Sequence, residues 1–315
     1  MNAIASSVIN GLLSIKPLAN FAKSRARTMM MDRAEDLGVH WREEVKTLQA
    51  REGWDEDLQA IANPNITYPD YYTTSFHAYD EGNLGWLPAM EVDVAARAVH
   101  ARIWSDERGG INGDASLRAS YHKVLKEVLP AAPHSIVDLG CGAGRSTATL
   151  QETFPKATLT GIDLSPYFVT VAKYMEPQMR SSKLPQSSAS SEEDLAIRWI
   201  HAPAEETGLP SNSVDLVSVC LVFHELPTAA ARNIIAEAYR IVKPGGHFAI
   251  MDMNPACETF VKMPPYVLTL LKSTEPYLDQ YFSLDMSQAF QQAGFEVPTI
   301  LPNSPRHRTI VGQKG

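Results

Sequence analysis

Cysteine is scarce in this sequence of 315 residues, which contains only Cys141, Cys220 and Cys257. An odd number of widely separated cysteines argues against a disulfide framework and fits a reducing compartment, so we expect a cytoplasmic protein. No apolar run approaches the roughly 18 residues that cross a bilayer, which excludes stable membrane insertion. The histidines and cysteines lack paired spacings such as C-x-x-C or H-x-x-x-H, so we expect no metal site.

Basic residues are also in the minority, with 28 Lys and Arg against 36 Asp and Glu and a net charge of −8. Proteins that bind nucleic acids hold the phosphates with an excess of Lys and Arg, so we expect no nucleic-acid partner. Hydrophobic residues make up 44% and charged residues 20% of the chain, which is typical of a globular protein. A chain of this length buries a substantial core without disulfides or metals.

The first 31 residues form a separate basic segment, since Asp32 is the first acidic residue of the chain. Its basic residues stand among Ser, Ala and Asn, at Lys16, Lys23, Arg25 and Arg27. This composition is typical of a transit peptide, which would direct the protein to a chloroplast or mitochondrion. The alternative is a basic amphipathic helix, because its apolar residues recur at about a helical period.

Residues 32–114 are predicted to form a helical, aromatic cap that precedes the main domain. Helical patterns occur around 32–50 and 90–105, and a third pattern follows around 116–129. The segment 68–88 is rich in aromatic residues and is interrupted by proline and glycine, so no long element is expected there. Much further along the chain, a polar, serine-rich stretch at 181–194 is interpreted as a mobile surface insertion.

Short apolar runs recur from residue 133 onward, with helical patterns between most of them. The predicted strands are 135–139, 158–163, 198–201, 214–223 and 247–252. Apolar strands that alternate with helices indicate a parallel sheet covered on both faces, and hence an α/β fold. Two late strands, around 296–301 and 308–313, are expected to form an antiparallel hairpin at one edge.

A glycine-rich turn, Gly140-Cys141-Gly142-Ala143-Gly144, follows the first of these strands. The main alternative interpretation is a dinucleotide-binding site. The sequence motif of such a site is G-x-G-x-x-G, whereas this turn reads G-x-G-x-G. Asp138 precedes the turn, where a carboxylate would repel a pyrophosphate and suits an ammonium group. Asp163 ends the second strand, 163 − 138 = 25 residues later, where a carboxylate accepts hydrogen bonds from both hydroxyls of a ribose.

Four segments in this order resemble the motifs of class I S-adenosylmethionine-dependent methyltransferases. They read VDLGCGAGRST, GIDLS, HAPAEETGLPSNSVDLVSVCLVFHELP and AYRIVKPGGHFAIMD. The resemblance covers roughly residues 115–315, and it is closest to the ubiquinone/menaquinone-type and small-molecule enzymes. It implies a Rossmann-like sheet of seven strands, mostly parallel with the last strand antiparallel, behind the helical N-terminal cap.

The resemblance also implies which residues bind S-adenosylmethionine. Gly140, Gly142 and Gly144 would cradle the methionine part, supported by Asp138, while Asp163 would hold the ribose. Leu164 would pack on the adenine, and Leu221 is a further candidate contact. The family often binds the adenine amino group with an acid that Pro203 replaces here, so that contact is assigned to the Ala204 backbone or to Glu205.

The acceptor is expected to be a small, partly apolar molecule that receives the methyl group by in-line transfer. His224 and Glu225 are the candidate catalytic residues, because they follow strand four, where the family places substrate-facing polar groups; a structural role for His224 is the alternative. An aromatic lid is predicted over the acceptor, from Tyr71, Tyr72, Phe76, His77, Tyr79 and Trp86, unless these residues are core of the cap. A non-catalytic S-adenosylmethionine-binding module and a nicotinamide-dependent oxidoreductase are the alternative functions, and the oligomeric state stays open.

Overall fold

The computed structural model describes residues 16–74, 79, 82–181 and 196–315. Residues 1–15, most of the predicted insertion at 181–194, and Phe76 and His77 of the predicted lid lie outside the described residues. Among these described residues, four helices precede the sheet domain: α1 (Lys16–Asp36), α2 (Trp41–Gln49), α3 (Trp54–Ile61) and α4 (Trp86–His100). None of the helices within the described ranges has the length and apolar character that a membrane span requires.

Helices and strands alternate through the rest of the chain. The elements are α5 (Gly113–Val128), β1 (Ser135–Leu139), α6 (Arg145–Thr153), β2 (Thr158–Asp163), α7 (Pro166–Ser181), β3 (Arg198–His201), β4 (Val214–Cys220), α8 (Thr228–Ile241), β5 (Val242–Met253), α9 (Glu258–Val261), α10 (Pro265–Thr274), α11 (Leu278–Ser283), α12 (Met286–Ala293), β6 (Thr299–Pro302) and β7 (His307–Gln313).

The strands form one seven-stranded sheet in the order β3-β2-β1-β4-β5-β7-β6. Strands β1 to β5 are parallel, and β7 pairs antiparallel with both β5 and β6. This confirms the predicted Rossmann-like α/β fold with an antiparallel last strand. Since parallel strands end at the same edge, the carboxyl ends of β1, β2 and β4 lie side by side, where such sheets bind ligands.

Side chains of successive strand residues enter two different cores. On β5, Phe248 and Ile250 pack with α8, α11 and α12, while Ala249 and Met251 pack with α5 and α6. Burial on both faces explains why these strands read as continuous apolar runs rather than alternating ones.

The cap helices pack on the sheet domain through a third core. Trp41, Trp54 and Met90 are buried there together with Phe168 and Val171 of α7. The cap is therefore attached to the helix that leaves β2, next to the predicted ribose-binding strand end.

Several boundaries differ from the sequence prediction, each for a local reason. The helical pattern at 32–50 is divided by a turn in which Gly38 has a φ of +79°. Strand β4 ends at Cys220 rather than at residue 223, because Leu221 adopts a φ of +61°. Asp285 caps α12, accepting a hydrogen bond of 2.9 Å from the backbone N–H of Gln288.

Candidate active site

The predicted ammonium-binding carboxylate, Asp138, is fully buried near the end of β1. Its Oδ2 accepts hydrogen bonds from Ser146 Oγ at 2.6 Å and Thr147 Oγ1 at 2.7 Å, both on the first turn of α6. Its Oδ1 is buried and has no hydrogen-bond partner among the described residues. Burial outweighs these two hydrogen bonds and raises the pKa of Asp138 to about 6. An unpaired carboxylate oxygen at this position is suited to a cationic ligand group.

The glycine loop runs directly past both strand-end carboxylates. A side chain at Gly140, whose φ is +68°, would lie 2.6 Å from Val222 Cγ2 and would clash with it. The φ of Gly142 is +54°, and the space beside its Cα is open to at least 4 Å. Gly144 ends the loop as the residue before α6. The loop therefore leaves room for a ligand at Gly142, and at Gly140 its backbone packs closely against Val222, which follows β4.

Asp163, the predicted ribose ligand, lies at the end of β2 beside this loop. Its Oδ2 accepts from the backbone N–H of Gly142 and its Oδ1 from that of Ser165, each at 2.8 Å. The Tyr72 hydroxyl lies 3.5 Å from Oδ1. Burial exceeds the effect of these hydrogen bonds and raises the pKa of Asp163 to about 6. Each carboxylate oxygen still has capacity to accept another hydrogen bond.

The residues assigned to the adenine lie around the end of β3. The Leu164 side chain is buried, and its carbonyl accepts from His201 Nε2 at 3.0 Å. Pro203 and Ala204 are half-buried, and the Glu205 carboxylate accepts a hydrogen bond of 2.5 Å from the Tyr71 hydroxyl. The Ala204 backbone and Glu205 thus stay predictions for the adenine contact.

Leu221 adopts the left-handed backbone conformation directly after β4. Its φ is +61°, a strained value for a residue with a side chain, and its N–H donates to the Met251 carbonyl at 2.8 Å. This bend turns the chain out of the sheet, so that Val222 packs against Gly140 and a short 3₁₀ turn, Phe223–Glu225, follows. The residue that reaches the glycine loop is therefore Val222, and the contact of Leu221 with the cofactor stays a prediction.

His224 forms a buried pair with Asp252, near the end of β5. Its Nδ1 lies 2.8 Å from Asp252 Oδ1, and its backbone N–H donates to Oδ2 at 3.2 Å. Its Nε2 faces Glu225 Oε1 at 3.9 Å, which is too long for a hydrogen bond. Sequence reasoning missed Asp252, although an acid at the end of the strand HFAIMD is a usable signal.

Electrostatics keep His224 protonated near neutral pH. Burial lowers the pKa of His224, but the charges of Asp252, Glu275 and Glu225 outweigh it and raise the pKa to about 10. Burial raises the pKa of Asp252, but the charge and hydrogen bond of His224 lower it by more, so the net shift is downward. At pH 7 the two residues form an ion pair, and His224 releases its proton only at alkaline pH.

The described residues of the predicted aromatic lid fall into two groups. Tyr71 and Tyr72 lie over the strand ends, against Glu205 and Asp163. Tyr79 and Trp86 pack away from the strand ends: the Tyr79 hydroxyl donates to Glu91, and the Trp86 ring lies 5.2 Å from that of Trp54 and 5.0 Å from that of Tyr167 on α7. The cap thus brings two of its tyrosines to the site and keeps the other two aromatics in its own core.

A family model described as a methyltransferase domain matches residues 137–250. The match includes the glycine loop, both strand-end carboxylates and His224, and it ends two residues before Asp252. The chain contains a class I S-adenosylmethionine-dependent methyltransferase domain. Its methyl donor is S-adenosylmethionine. Of the described residues of this methyltransferase, no group of three His, Cys, Asp or Glu side chains is arranged to hold a metal ion.

Curated relatives match the methyltransferase over part of its length. An uncharacterized methyltransferase of Synechocystis sp. is 28% identical over 56% of this chain and 74% of that protein. A trans-aconitate 2-methyltransferase of Azoarcus sp. is 30% identical over 47% and 49%, and a demethylmenaquinone methyltransferase of Thermus thermophilus is 26% identical over 40% and 50%. The chain thus spans about half the length of the two relatives with assigned substrates.

A solved structure supports the fold of the methyltransferase independently of sequence. The crystal structure of a candidate O-methyltransferase from Nostoc punctiforme aligns with a TM-score of 0.53 at 17% identity, over 83% of this chain and 68% of that one. At 17% identity, this similarity shows a common fold and nothing about the substrate.

Proposed function

We propose that this methyltransferase methylates a small, partly apolar molecule bound over the ends of β4 and β5. The observation that carries the cofactor half of the proposal is the buried, unpaired Oδ1 of Asp138 on β1, followed in the chain by a glycine loop with open space at Gly142. An ammonium group that donates to this oxygen would satisfy it, and the methionine part of S-adenosylmethionine carries such a group. When bound, S-adenosylmethionine supplies an activated methyl group on its sulfonium.

Asp163 complements this anchor at the other end of the cofactor. Two ribose hydroxyls donate to its two oxygens, which the N–H groups of Ser165 and Gly142 hold in place from behind. Leu164 and the segment Ala204–Glu205 are proposed to border the adenine. Fixing the cofactor at both ends orients it for in-line transfer, which is the main contribution that a protein makes to a reaction of an already activated group.

The acceptor side combines apolar surface with an excess of negative charge. Val222 and Met253 are half-buried and lie at the ends of β4 and β5. Three carboxylates, on Asp252, Glu225 and Glu275, act on His224, and the cations there are His224 itself and Arg308, which pairs with Asp252 across β5 and β7. The excess of negative charge disfavours a polycarboxylate acceptor and favours a neutral one, and the apolar residues favour an acceptor that is partly hydrophobic.

His224 is proposed to take the proton of the acceptor through Nε2. Asp252 Oδ1 accepts a hydrogen bond from the Nδ1–H of His224 and thereby fixes the ring so that Nε2 faces Glu225. Because the pKa of His224 is raised to about 10, the basic form becomes more abundant as the pH rises toward that value. Turnover of a hydroxyl acceptor should therefore increase with pH well beyond neutrality.

The experiment that tests this function uses S-adenosylmethionine with a labelled methyl group. The enzyme is incubated with a fractionated mixture of small metabolites, and labelled products are identified by mass spectrometry. We expect label in a small neutral product, and about a hundredfold less label when the His224→Ala variant is used at the same concentration. Label that enters only polycarboxylates would contradict the proposed acceptor class, and no label in any fraction would contradict catalysis on small molecules.

A further inference from the structure

The carboxylate of Asp163 is contacted by the cap as well as by its own surroundings. The N–H groups of Ser165 and Gly142 approach it at 2.8 Å, whereas the Tyr72 hydroxyl stands at 3.5 Å from Oδ1. Asp163 is only 7% exposed. Part of the space that ribose hydroxyls need beside this carboxylate is therefore taken by the tyrosine.

Tyr72 belongs to a short segment, Tyr68–Tyr72, that we term the strap. The strap is held at two further points: the Tyr71 hydroxyl donates to Glu205 at 2.5 Å, and the Tyr68 hydroxyl lies 3.3 Å from His201 Nε2. The rings of Tyr68 and Tyr72 stack with their centroids 6.2 Å apart. These contacts attach the strap to the ends of β2 and β3, which is the half of the site proposed for the ribose and adenine.

We propose that the strap closes the cofactor site of the free enzyme, with the Tyr72 hydroxyl in place of a ribose hydroxyl on Asp163, and that cofactor entry displaces it. The inference rests on the proposed role of Asp163 as the ribose ligand. The Tyr72 contact is the longest of the three on this carboxylate, so it is the one that a ribose hydroxyl replaces most readily. Burial and the Asp163 charge hold the pKa of Tyr72 well above its usual range, so the hydroxyl remains a donor throughout the neutral range.

A closed site lowers the apparent affinity for its ligand by the fraction of molecules that are open. Removing the Tyr72 hydroxyl weakens the closed state and leaves the proposed cofactor ligands intact. One hydrogen bond of this kind corresponds to roughly a two- to tenfold change in an equilibrium. The strap therefore predicts tighter binding after the loss of a polar group that faces the site, which is the opposite of what a cofactor-binding tyrosine predicts.

The test compares Tyr72→Phe with Tyr79→Phe by calorimetric titration with S-adenosylhomocysteine. Tyr79 is a matched control, because its hydroxyl also donates to a carboxylate, that of Glu91 at 2.5 Å, but within the cap. We expect Tyr72→Phe to lower the dissociation constant by about two- to tenfold and Tyr79→Phe to leave it unchanged. A constant that is unchanged or higher in Tyr72→Phe would overturn the strap.

Hydrogen–deuterium exchange of the wild-type enzyme tests the same proposal without a substitution. Peptides that span residues 64–74 should exchange faster when S-adenosylhomocysteine is saturating, because the strap has left Asp163. Slower exchange there would show a segment that closes over bound cofactor and would overturn the proposal. Failure of the wild type to bind S-adenosylhomocysteine would refute the proposed cofactor site itself, whereas binding with an unaffected Tyr72→Phe variant would refute the strap alone.

Discussion

The two halves of the site are assembled in different ways. In the cofactor half, the glycine loop and Asp138 are close in sequence, and the shared contacts run between neighbouring strands β1 and β2. In the acceptor half, His224 at the end of β4 meets Asp252 on β5 from 28 residues away. The first half depends on backbone geometry that a short motif encodes, whereas the second depends on side chains that only the folded chain brings together.

The acceptor half should show the largest effect of a single substitution. His224→Ala removes the group proposed to take the acceptor proton, and such assistance is typically worth about 10²–10⁴ in rate. We expect turnover to fall by about two orders of magnitude or more, while affinity for S-adenosylhomocysteine is unchanged. Steady-state kinetics and calorimetry on the same preparation measure both. Turnover within about threefold of wild type would reduce His224 to a structural role.

The cofactor half should respond in binding rather than in rate alone. Asp163→Ala removes the proposed acceptor of the ribose hydroxyls, whose charge-assisted hydrogen bonds are worth roughly 1.5–3 kcal/mol each. The affinity for S-adenosylhomocysteine should fall at least tenfold by calorimetry. Asp215→Ala is the control, because Asp215 lies near the opposite end of β4, where it accepts from Ser135. If Asp163→Ala leaves the dissociation constant for S-adenosylhomocysteine unchanged, the ribose does not bind at Asp163.

The two halves should also differ in their dependence on pH. The pKa values of Asp138 and Asp163 are raised to about 6, so acidification neutralises both carboxylates well before an ordinary carboxylate. Affinity for S-adenosylhomocysteine should be constant above about pH 7 and fall as the pH drops through 6. Calorimetry from pH 8 to pH 5 measures this, and affinity that holds down to pH 5 would contradict the assignment.

Catalysis should change in the opposite pH range. The folded-state pKa of His224 is about 10, above its ordinary value of 6.5, so the ion pair with Asp252 stabilises the fold fully below 6.5 and this contribution is lost as the pH rises through 10. Over that same interval the basic form of the imidazole accumulates. We expect turnover to rise from pH 7 toward 10 in the wild type but not in His224→Ala. A wild-type plateau near pH 7 would mean that His224 is not the base.

The smallest expected effect is structural and lies outside both halves. Asp285 caps α12 through one hydrogen bond to the N–H of Gln288. Asp285→Ala should lower the free energy of unfolding by about 1 kcal/mol, as for other N-cap losses, and should leave cofactor affinity unchanged. Denaturant titration measures the first quantity, and any loss of S-adenosylhomocysteine binding would show that α12 supports the site.

The difference between the two halves of the site determines which features could be predicted from the sequence. Strands β1, β2 and β3 have the predicted bounds, and Asp138 and Asp163 could be recognised because each stands at or near the end of an apolar run. The end of β4 could not, because the left-handed turn at Leu221 occurs in an apolar run with no glycine. Asp252 escaped notice because its significance depends on its distance from His224, which only the pairing of β4 with β5 determines.

The most direct test of the cofactor site is a calorimetric titration of the wild-type enzyme with S-adenosylhomocysteine and, separately, with NAD. The unpaired oxygen of Asp138, the open face of Gly142 and the strand-end carboxylate of Asp163 predict binding of S-adenosylhomocysteine at one site per chain and no binding of NAD. Binding of NAD without binding of S-adenosylhomocysteine would contradict this assignment of the site.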